Sequence, residues 1–458
     1  MAKFTLQQIA DWCGGSVAPE FAEVTVEGVC SDSRKLQPGQ LFVALKGEKF
    51  DGHNFIAAAI DDGAAAALSQ IEVPGLPVVV VENTLIALGD MAREYRKSLN
   101  IKVVGITGSV GKTTTKEMVA GILETSYKTA RTEGNFNNNI GLPQTALNVP
   151  EDYEAAVFEM GMNHFKEMSY LTSIALPDIA VITNIGTMHI EHLGTREGIL
   201  QAKLEILEGL KPDGKCVFNG DEPLLWNLRD TCAVKPMYFG IENDACDVVA
   251  KDIQAVDGGM NFRVHCFGDE LEVFVPAAGM HMVYNALTAI CVGHLLGVKN
   301  SRIQRALSMF RNSGMRQEIY EKNGFTIIAD CYNAGPESME AALEVLASVN
   351  TEGRRIAVLG DMLELGVCSQ AEHHRIGRLV AAKTDALYTY GKLADRYIAG
   401  AVTGGMNQKR ISSFTEHEDL ANSLKRFAKP GDVLLFKGSR GMRMEKALKL
   451  FEEATEKK

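Results

Sequence analysis

The run Thr107-Gly108-Ser109-Val110-Gly111-Lys112-Thr113-Thr114 carries residue types suited to phosphate chemistry. Its spacing departs from the common G-x-x-x-x-G-K-[ST] loop. The first glycine of that pattern would fall at position 106, which is Ile106, with Gly105 one residue too early. The chemistry of the stretch is still that of an anion cradle. A short β-branched run, "IKVVGIT", precedes it, and "KTTTKEMVAGILE" follows with apolar residues at helical spacing. A strand, a tight glycine turn and a helix N-terminus aim backbone N–H groups at one point, where phosphate is stabilised. Lys112 would reach the outer phosphates and the Thr113 hydroxyl would hold Mg²⁺. The alternative is an ordinary strand-to-helix turn with a solvated lysine, against which Gly-Lys-Thr-Thr at this junction argues.

A second candidate is a lysine out of place. In "TREGILQAKLEILEGL", residues 195–210, a helical wheel puts Ile199, Leu200, Leu204, Ile206, Leu207 and Leu210 on one apolar arc, with Lys203 near its middle. Gln201, Glu205 and Glu208 fall opposite. A lysine in a buried stripe is costly unless it snorkels, pairs or is chemically altered. Two readings stay open: snorkelling past the helix edge, or a reactive amine with a depressed pKa. Glu159 ends the candidate strand "EAAVFEMG", and His189 follows the candidate strand "DIAVITNIG". Glu159 could ligate Mg²⁺, which prefers oxygen. His192 lies three residues beyond His189, but no third ligand is spaced to complete a zinc site.

These residues need elements to position them. The chain has 458 residues, enough for about three domains. We place them at residues 1–98, 99–313 and 314–458. The first mixes strands and helices, with "HNFIAAAIDDGAAAAL" read as an alanine-rich helix and "PVVVVE" as a buried strand. In the second, strands alternate with helical patterns after the glycine loop, which predicts a parallel sheet covered by helices. Ligands gather at the carboxyl ends of such strands. The third holds another alternating set, "FTIIADCYN", "RRIAVLGDM", "DALYTYG" and "GDVLLFKGSRG", and reads as a second doubly wound unit. The fold class is therefore α/β in three domains: a small mixed one, a central phosphate-loop ATPase-like one and a C-terminal Rossmann-like one. A net charge of −11 argues against general nucleic-acid binding. No apolar run reaches membrane-spanning length. Nine scattered cysteines without a C-x-x-C pair fit a reduced cytoplasm, and nothing demands more than a monomer.

Taken together, "TGSVGKTTTKEM", "TEGNFNNNIGLP", "FEMGMN", "TNIGTMHIEHLGTREGILQAKLEI", "YNAL", "IADCYNAGPESM" and "LGDMLELG" resemble the Mur ligases of bacterial cell-wall synthesis. The motifs run in order from about residue 25 to 445. The family loop, T-G-[ST]-x-G-K-[ST]-[ST], is met by Thr107 to Thr114, which makes Gly105 part of the strand. The resemblance implies ATP-driven amide formation through an acyl phosphate. The branch it most resembles takes UDP-N-acetylmuramoyl-tripeptide and D-alanyl-D-alanine as substrates. It further implies two Mg²⁺ ions held by Thr113, Glu159, His189 and Lys203, the last carbamylated by CO₂. Gly108 to Thr114, Asn285, Arg316, Asp330 and Tyr332 would bind the nucleotide. Asn135, Asn137 and Asn138 would face the growing peptide, although turn formation is their alternative role. Ser31, Arg34, Asp51 and His53 would hold the UDP-sugar. From their place in the third domain alone, Asp361, Leu363 and the loop Lys437 to Glu445 would be candidates for the dipeptide carboxylate. Closure of the third domain would exclude water from the acyl phosphate.

The resemblance is not complete. Gly335 stands where the family commonly has asparagine, so no side chain acts there. The Asp-Asn-Pro-Arg motif of the diaminopimelate-adding branch is missing. The rival readings are a folylpolyglutamate synthase of the same superfamily, a phosphate-loop kinase, and a nucleotide-gated switch.

Overall fold

The computed structural model describes residues 3–47, 50–312 and 314–456; the domain boundary expected at residue 313 falls outside them. Three large sheets carry the chain, beside a two-stranded ladder of Lys3–Thr5 with Thr25–Glu27. The first runs Ser16–Val17, Val78–Val80, Ala66–Ser69, Leu41–Val43, Val29–Cys30, parallel except at Ser16–Val17. Its strands alternate as a sheet buried on both faces must. Leu41, Val43, Ala66 and Leu68 turn to one core, and Phe42, Ala44 and Ala67 turn to another.

The alanine-rich helix read from the sequence is only half present. The helix covers Ile56–Asp61 and stops before Gly63 at φ +106°; Ala66–Ser69 is a central strand. Alanine favours helix locally, but two neighbouring strands supply ladder partners on both sides, and tertiary pairing overrides propensity. The small side chains suit a strand whose two faces are both covered.

The central sheet has nine strands. From one edge they are Asp269–Val275, Gly259–Cys266, Val248–Val256, Pro236–Gly240, Lys215–Asn219, Ile179–Ile182, Lys102–Thr107, Ala155–Glu159 and Thr129–Arg131. The last seven are parallel, and the hairpin at 259–275 extends the same sheet antiparallel. The chain leaves Lys102–Thr107 to build one flank and then crosses to the other. The glycine loop therefore sits at a topological switch point, where strand ends diverge and leave a crevice. Helices Lys112–Glu124 and Met280–Leu295 cover one face. The core on the other face continues without a break into the first unit: Leu88, Met91 and Tyr95 of helix Thr84–Ser98 share it with Phe158, Leu171 and Leu142.

The third sheet runs Glu318–Lys322, Phe325–Asp330, Val433–Lys437, Arg355–Gly360, Ala386–Tyr390, Ile411–Phe414. Only its first strand is antiparallel. All four strands read from the sequence in this unit are present.

Candidate active site

The carboxyl ends of the central strands open into a cleft of about 1120 Å³, walled on its far side by the third unit. The glycine loop forms its floor. Gly108 has φ +153° and Gly111 φ +83°. A Cβ at Gly108 would lie 1.9 Å from Thr183 Oγ1, and one at Gly111 would lie 2.6 Å from Asn285 Oδ1. Glycine is thus required twice, by backbone angle and by space. The turn is strapped from the next strand: Asn184 Oδ1 accepts from the Val110 N–H, and the Thr183 hydroxyl donates to Val110 O. Ser109 Oγ accepts from the Gly186 N–H.

Lys112 folds over the loop and donates to Gly108 O at 2.6 Å. Burial pushes its pKa down, and Arg316 adds to this while Glu159 opposes it. The Thr113 hydroxyl donates to Glu159 Oε2 at 2.7 Å, and Asn137 Nδ2 donates to Glu159 Oε1 at 2.8 Å. Glu159 is 2 % exposed. A hydroxyl and a buried carboxylate beside a phosphate cradle form the hard oxygen set that suits Mg²⁺.

Lys203 is 2 % exposed, as the wheel requires. Burial drives its pKa well below the ordinary lysine value, and repulsion from Lys112 lowers it further. The snorkelling alternative is excluded by that burial. The element around it differs from the reading above. The α-helix ends at Leu204, and residues Glu205–Gly209 wind as a tighter 3₁₀ turn. Three residues per turn rotate the following side chains. Glu205, expected on the solvent face, is instead buried, and its carboxylate accepts from the N–H groups of Lys166 and Ser169 at the start of helix Glu167–Ala175.

His189, in the left-handed region at φ +64°, lines the cleft. Its Nδ1 lies 2.7 Å from Glu364 of the third unit. Asn285 lies at the loop and accepts from the Thr115 hydroxyl. Arg316 stacks on the Tyr332 ring at 3.7 Å. Asp330 pairs with the buried Lys437 at 2.6 Å. Asn135, Asn137 and Asn138 all line the cleft, but Asn138 Oδ1 is also used to cap the N–H groups of Ile140 and Gly141.

Other residues singled out from sequence lie outside the cleft lining. Ser31 accepts from Gln144, Arg34 forks onto Asp32, and His53 bridges Asp51 and the Gln70 N–H. Asp361 closes a turn by accepting from the Lys392 and Leu393 N–H groups, and burial raises its pKa. Cleft residues that sequence reasoning missed include Thr183, Asn184 and Glu337, while Lys437 opens the loop expected at the dipeptide carboxylate. The first two stood in the quoted "TNIG" stretch, at a strand end, which was the available signal. Glu337 and Lys437 sit on segments whose partners only the fold supplies.

Three family models match the chain in order: the Mur ligase family catalytic domain at 25–107, the Mur ligase middle domain at 106–293 and the Mur ligase glutamate ligase domain at 315–440. The UDP-N-acetylmuramoyl-tripeptide–D-alanyl-D-alanine ligase of Bacillus subtilis is 43% identical over 98% of both chains. The chain belongs to the Mur ligase family. The enzyme of that same name from Escherichia coli is 34% identical over 99% of both chains. Among solved structures, MurF from Acinetobacter baumannii superposes with a TM-score of 0.90 at 32% identity, covering 99% of each chain. MurF ligase from Thermotoga maritima, solved in complex with ADP, gives 0.83 at 32% identity, covering 94% of this chain and 98% of that one. A folylpolyglutamate synthase from Mycobacterium tuberculosis gives 0.62 at 16% identity over 80% of this chain and 94% of that one, a likeness of fold alone. Within the Mur ligase fold, the cleft described here is where the second and third units meet.

Proposed function

We infer that this Mur ligase joins D-alanyl-D-alanine to UDP-N-acetylmuramoyl-tripeptide, driven by ATP. The observation that carries the reading is the 43% identity, over 98% of both chains, to an enzyme of that name. The interdomain cleft supports it, with the phosphate loop as its floor and polar residues of the third unit, Arg316, Asp330 and Tyr332 among them, on its far wall.

The chemistry needs three reactants in one desolvated place. The tripeptide carboxylate attacks the γ-phosphorus of ATP to give an acyl phosphate and ADP. The dipeptide nitrogen, once it has given up its ammonium proton, attacks the acyl carbon; the C–N bond forms, the acyl C–O bond to phosphate breaks, and phosphate leaves as the nitrogen loses a second proton. Charge on the transferring phosphoryl oxygens is met by Lys112 and the N–H groups of Gly108 to Thr114. Asn285, Arg316, Asp330 and Tyr332 are our assignment for the nucleotide; that the Thermotoga relative was solved in complex with ADP supports nucleotide binding as such. Asn135, Asn137 and Asn138 face the tripeptide. Ser31, Arg34, Asp51 and His53 remain our assignment for the UDP-sugar on the first unit.

Thr113, Glu159 and His189 would hold Mg²⁺, which supplies positive charge to the phosphates when bound. Burial shifts the Lys203 amine towards its uncharged form, which is the state that reacts with CO₂, and the resulting carbamate would be an oxygen donor drawn towards Lys112. His189 and Glu364 would hold the third unit over the cleft and keep water away from the acyl phosphate. No helix among the described residues is long and apolar enough to cross a membrane. All nine cysteines are free, which fits a reduced compartment, and our reading places the enzyme in the cytoplasm as a monomer.

Phosphate release from MgATP tests the reading. It should need both UDP-N-acetylmuramoyl-tripeptide and D-alanyl-D-alanine, and mass spectrometry should show the pentapeptide product. Release that ignores both substrates would remove the ligase and leave a nucleotide switch.

A further inference from the structure

The dipeptide enters as a zwitterion. Its nitrogen, the atom that forms the new bond, arrives largely as an ammonium near neutral pH. A desolvated cleft must offer that cation a partner.

Glu337 stands in the first turn of helix Pro336–Ser348 and lines the cleft. It reaches across from the third unit to the loop that follows strand Ile179–Ile182. Its Oε1 accepts from the Thr187 N–H at 2.8 Å and the Thr187 hydroxyl at 3.0 Å. Its Oε2 is shielded from solvent and meets no donor among the described residues. The carboxylate lies flat on Gly186, where a Cβ would come within 2.7 Å of its carbon. The Gly186 N–H in turn donates to Ser109 Oγ at 2.8 Å, so Glu337 is one residue removed from the phosphate loop. A carboxylate with one oxygen fully used and the other buried without a donor is costly, and a cationic donor relieves it.

Although His189 lies on the same side of the loop as Glu337, one shielded oxygen suits a hydrogen-bonding ammonium better than Mg²⁺, which takes several oxygens. The oxygen pair suited to the metal, Thr113 and Glu159, lies on the Ala155–Glu159 side of the loop strand. Glu337 lies on the Ile179–Ile182 side. An ammonium received there would enter from the third unit, opposite the asparagine cluster that fronts the other flank.

We propose that Glu337 Oε2 receives the ammonium of the incoming dipeptide and holds its nitrogen beside the phosphate loop. The proposal rests on the ligase reading above. Thr187 fixes the orientation of the carboxylate through the other oxygen.

The test compares wild type with Glu337→Gln, which keeps shape and the oxygen that accepts from Thr187. The probes are D-alanyl-D-alanine and its des-amino analogue, propanoyl-D-alanine, used as a competitive inhibitor. The variant should raise the KM for the dipeptide at least tenfold and change the inhibition constant of the analogue less than twofold. The KM for ATP, the Mg²⁺ dependence and tripeptide-dependent acyl-phosphate formation, trapped with hydroxylamine, should hold within twofold. Equal weakening of dipeptide and analogue, or a shifted Mg²⁺ requirement, would overturn the proposal in favour of a latch or a metal ligand. Wild type alone gives an independent check: it should bind the analogue at least tenfold more weakly than the dipeptide, and equal binding would also overturn it. Absence of pentapeptide from wild type would instead remove the ligase reading.

Discussion

Replacing Lys203 by methionine should make the CO₂-free protein more stable and catalytically dead. The magnitude follows from its burial. An amine whose folded pKa lies well below the ordinary 10.5 is neutral in the folded state at pH values where the unfolded chain carries its proton. In that window the unfolded state binds one more proton, so stability rises with pH by about 1.36 kcal/mol per unit. Read downwards, stability is lost as pH falls from 10.5 towards the folded value. The penalty at a given pH is at most about 1.36 kcal/mol for each unit that pH lies below 10.5, and it is reached only where the folded amine is neutral. Lys203→Met removes the penalty and the slope together. Urea denaturation of both proteins at pH 7, 8 and 9 in CO₂-free buffer reads this directly. The variant should have the higher midpoint, and the gap should narrow as pH rises. Bicarbonate should stabilise wild type only, by converting the amine to an anion beside Lys112, and ¹³C-bicarbonate should label wild type only. Parallel pH profiles, or a lower midpoint for the variant at pH 8, would refute the claim that this amine is buried and uncharged.

Other perturbations have definite outcomes. Gly111→Ala places a Cβ 2.6 Å from Asn285 Oδ1 at φ +83°, so it should cost at least about 1–2 kcal/mol and abolish measurable ADP binding by calorimetry. Glu159→Gln should lower kcat/KM by about 10²-fold and shift the Mg²⁺ requirement upward in a phosphate-release assay, because it removes the one negative charge of the buried oxygen pair. Glu205→Ala removes the acceptor for two N–H groups at the start of helix Glu167–Ala175 and should cost about 1–2 kcal/mol in thermal unfolding, with little change in KM for ATP. Asp432 is buried, and Arg354 holds its pKa below the usual carboxylate range against the opposing effect of burial. The stabilisation of this lowered carboxylate is present above its unfolded pKa and lost as pH falls through the folded value. Asp432→Asn should therefore destabilise the third unit by about 3 kcal/mol near neutral pH and flatten its acid unfolding profile.

Sequence alone determined the parts whose signals are local. Gly108 to Thr114 announce a phosphate cradle because a glycine turn between a strand and a helix can serve little else, and the pattern of strands and helices gave three α/β units. The wheel around Lys203 exposed a buried cation because helical spacing is a property of neighbouring residues. Two elements end sooner than local periodicity indicates. Ala66–Ser69 pairs as a strand because two partners lie far away in the chain. Glu205 turns inward because the helix tightens at Leu204. The tertiary structure also decided which polar groups meet. Thr113 finds Glu159 only because the strands ending at 107 and 159 pair side by side, and His189 finds Glu364 only because the third unit bears on the second. Glu337, an unremarked residue in a helix turn, acquires its place because Gly186 leaves room for it. Contacts between residues 46 to 175 positions apart depend on chain topology, and no local periodicity encodes them.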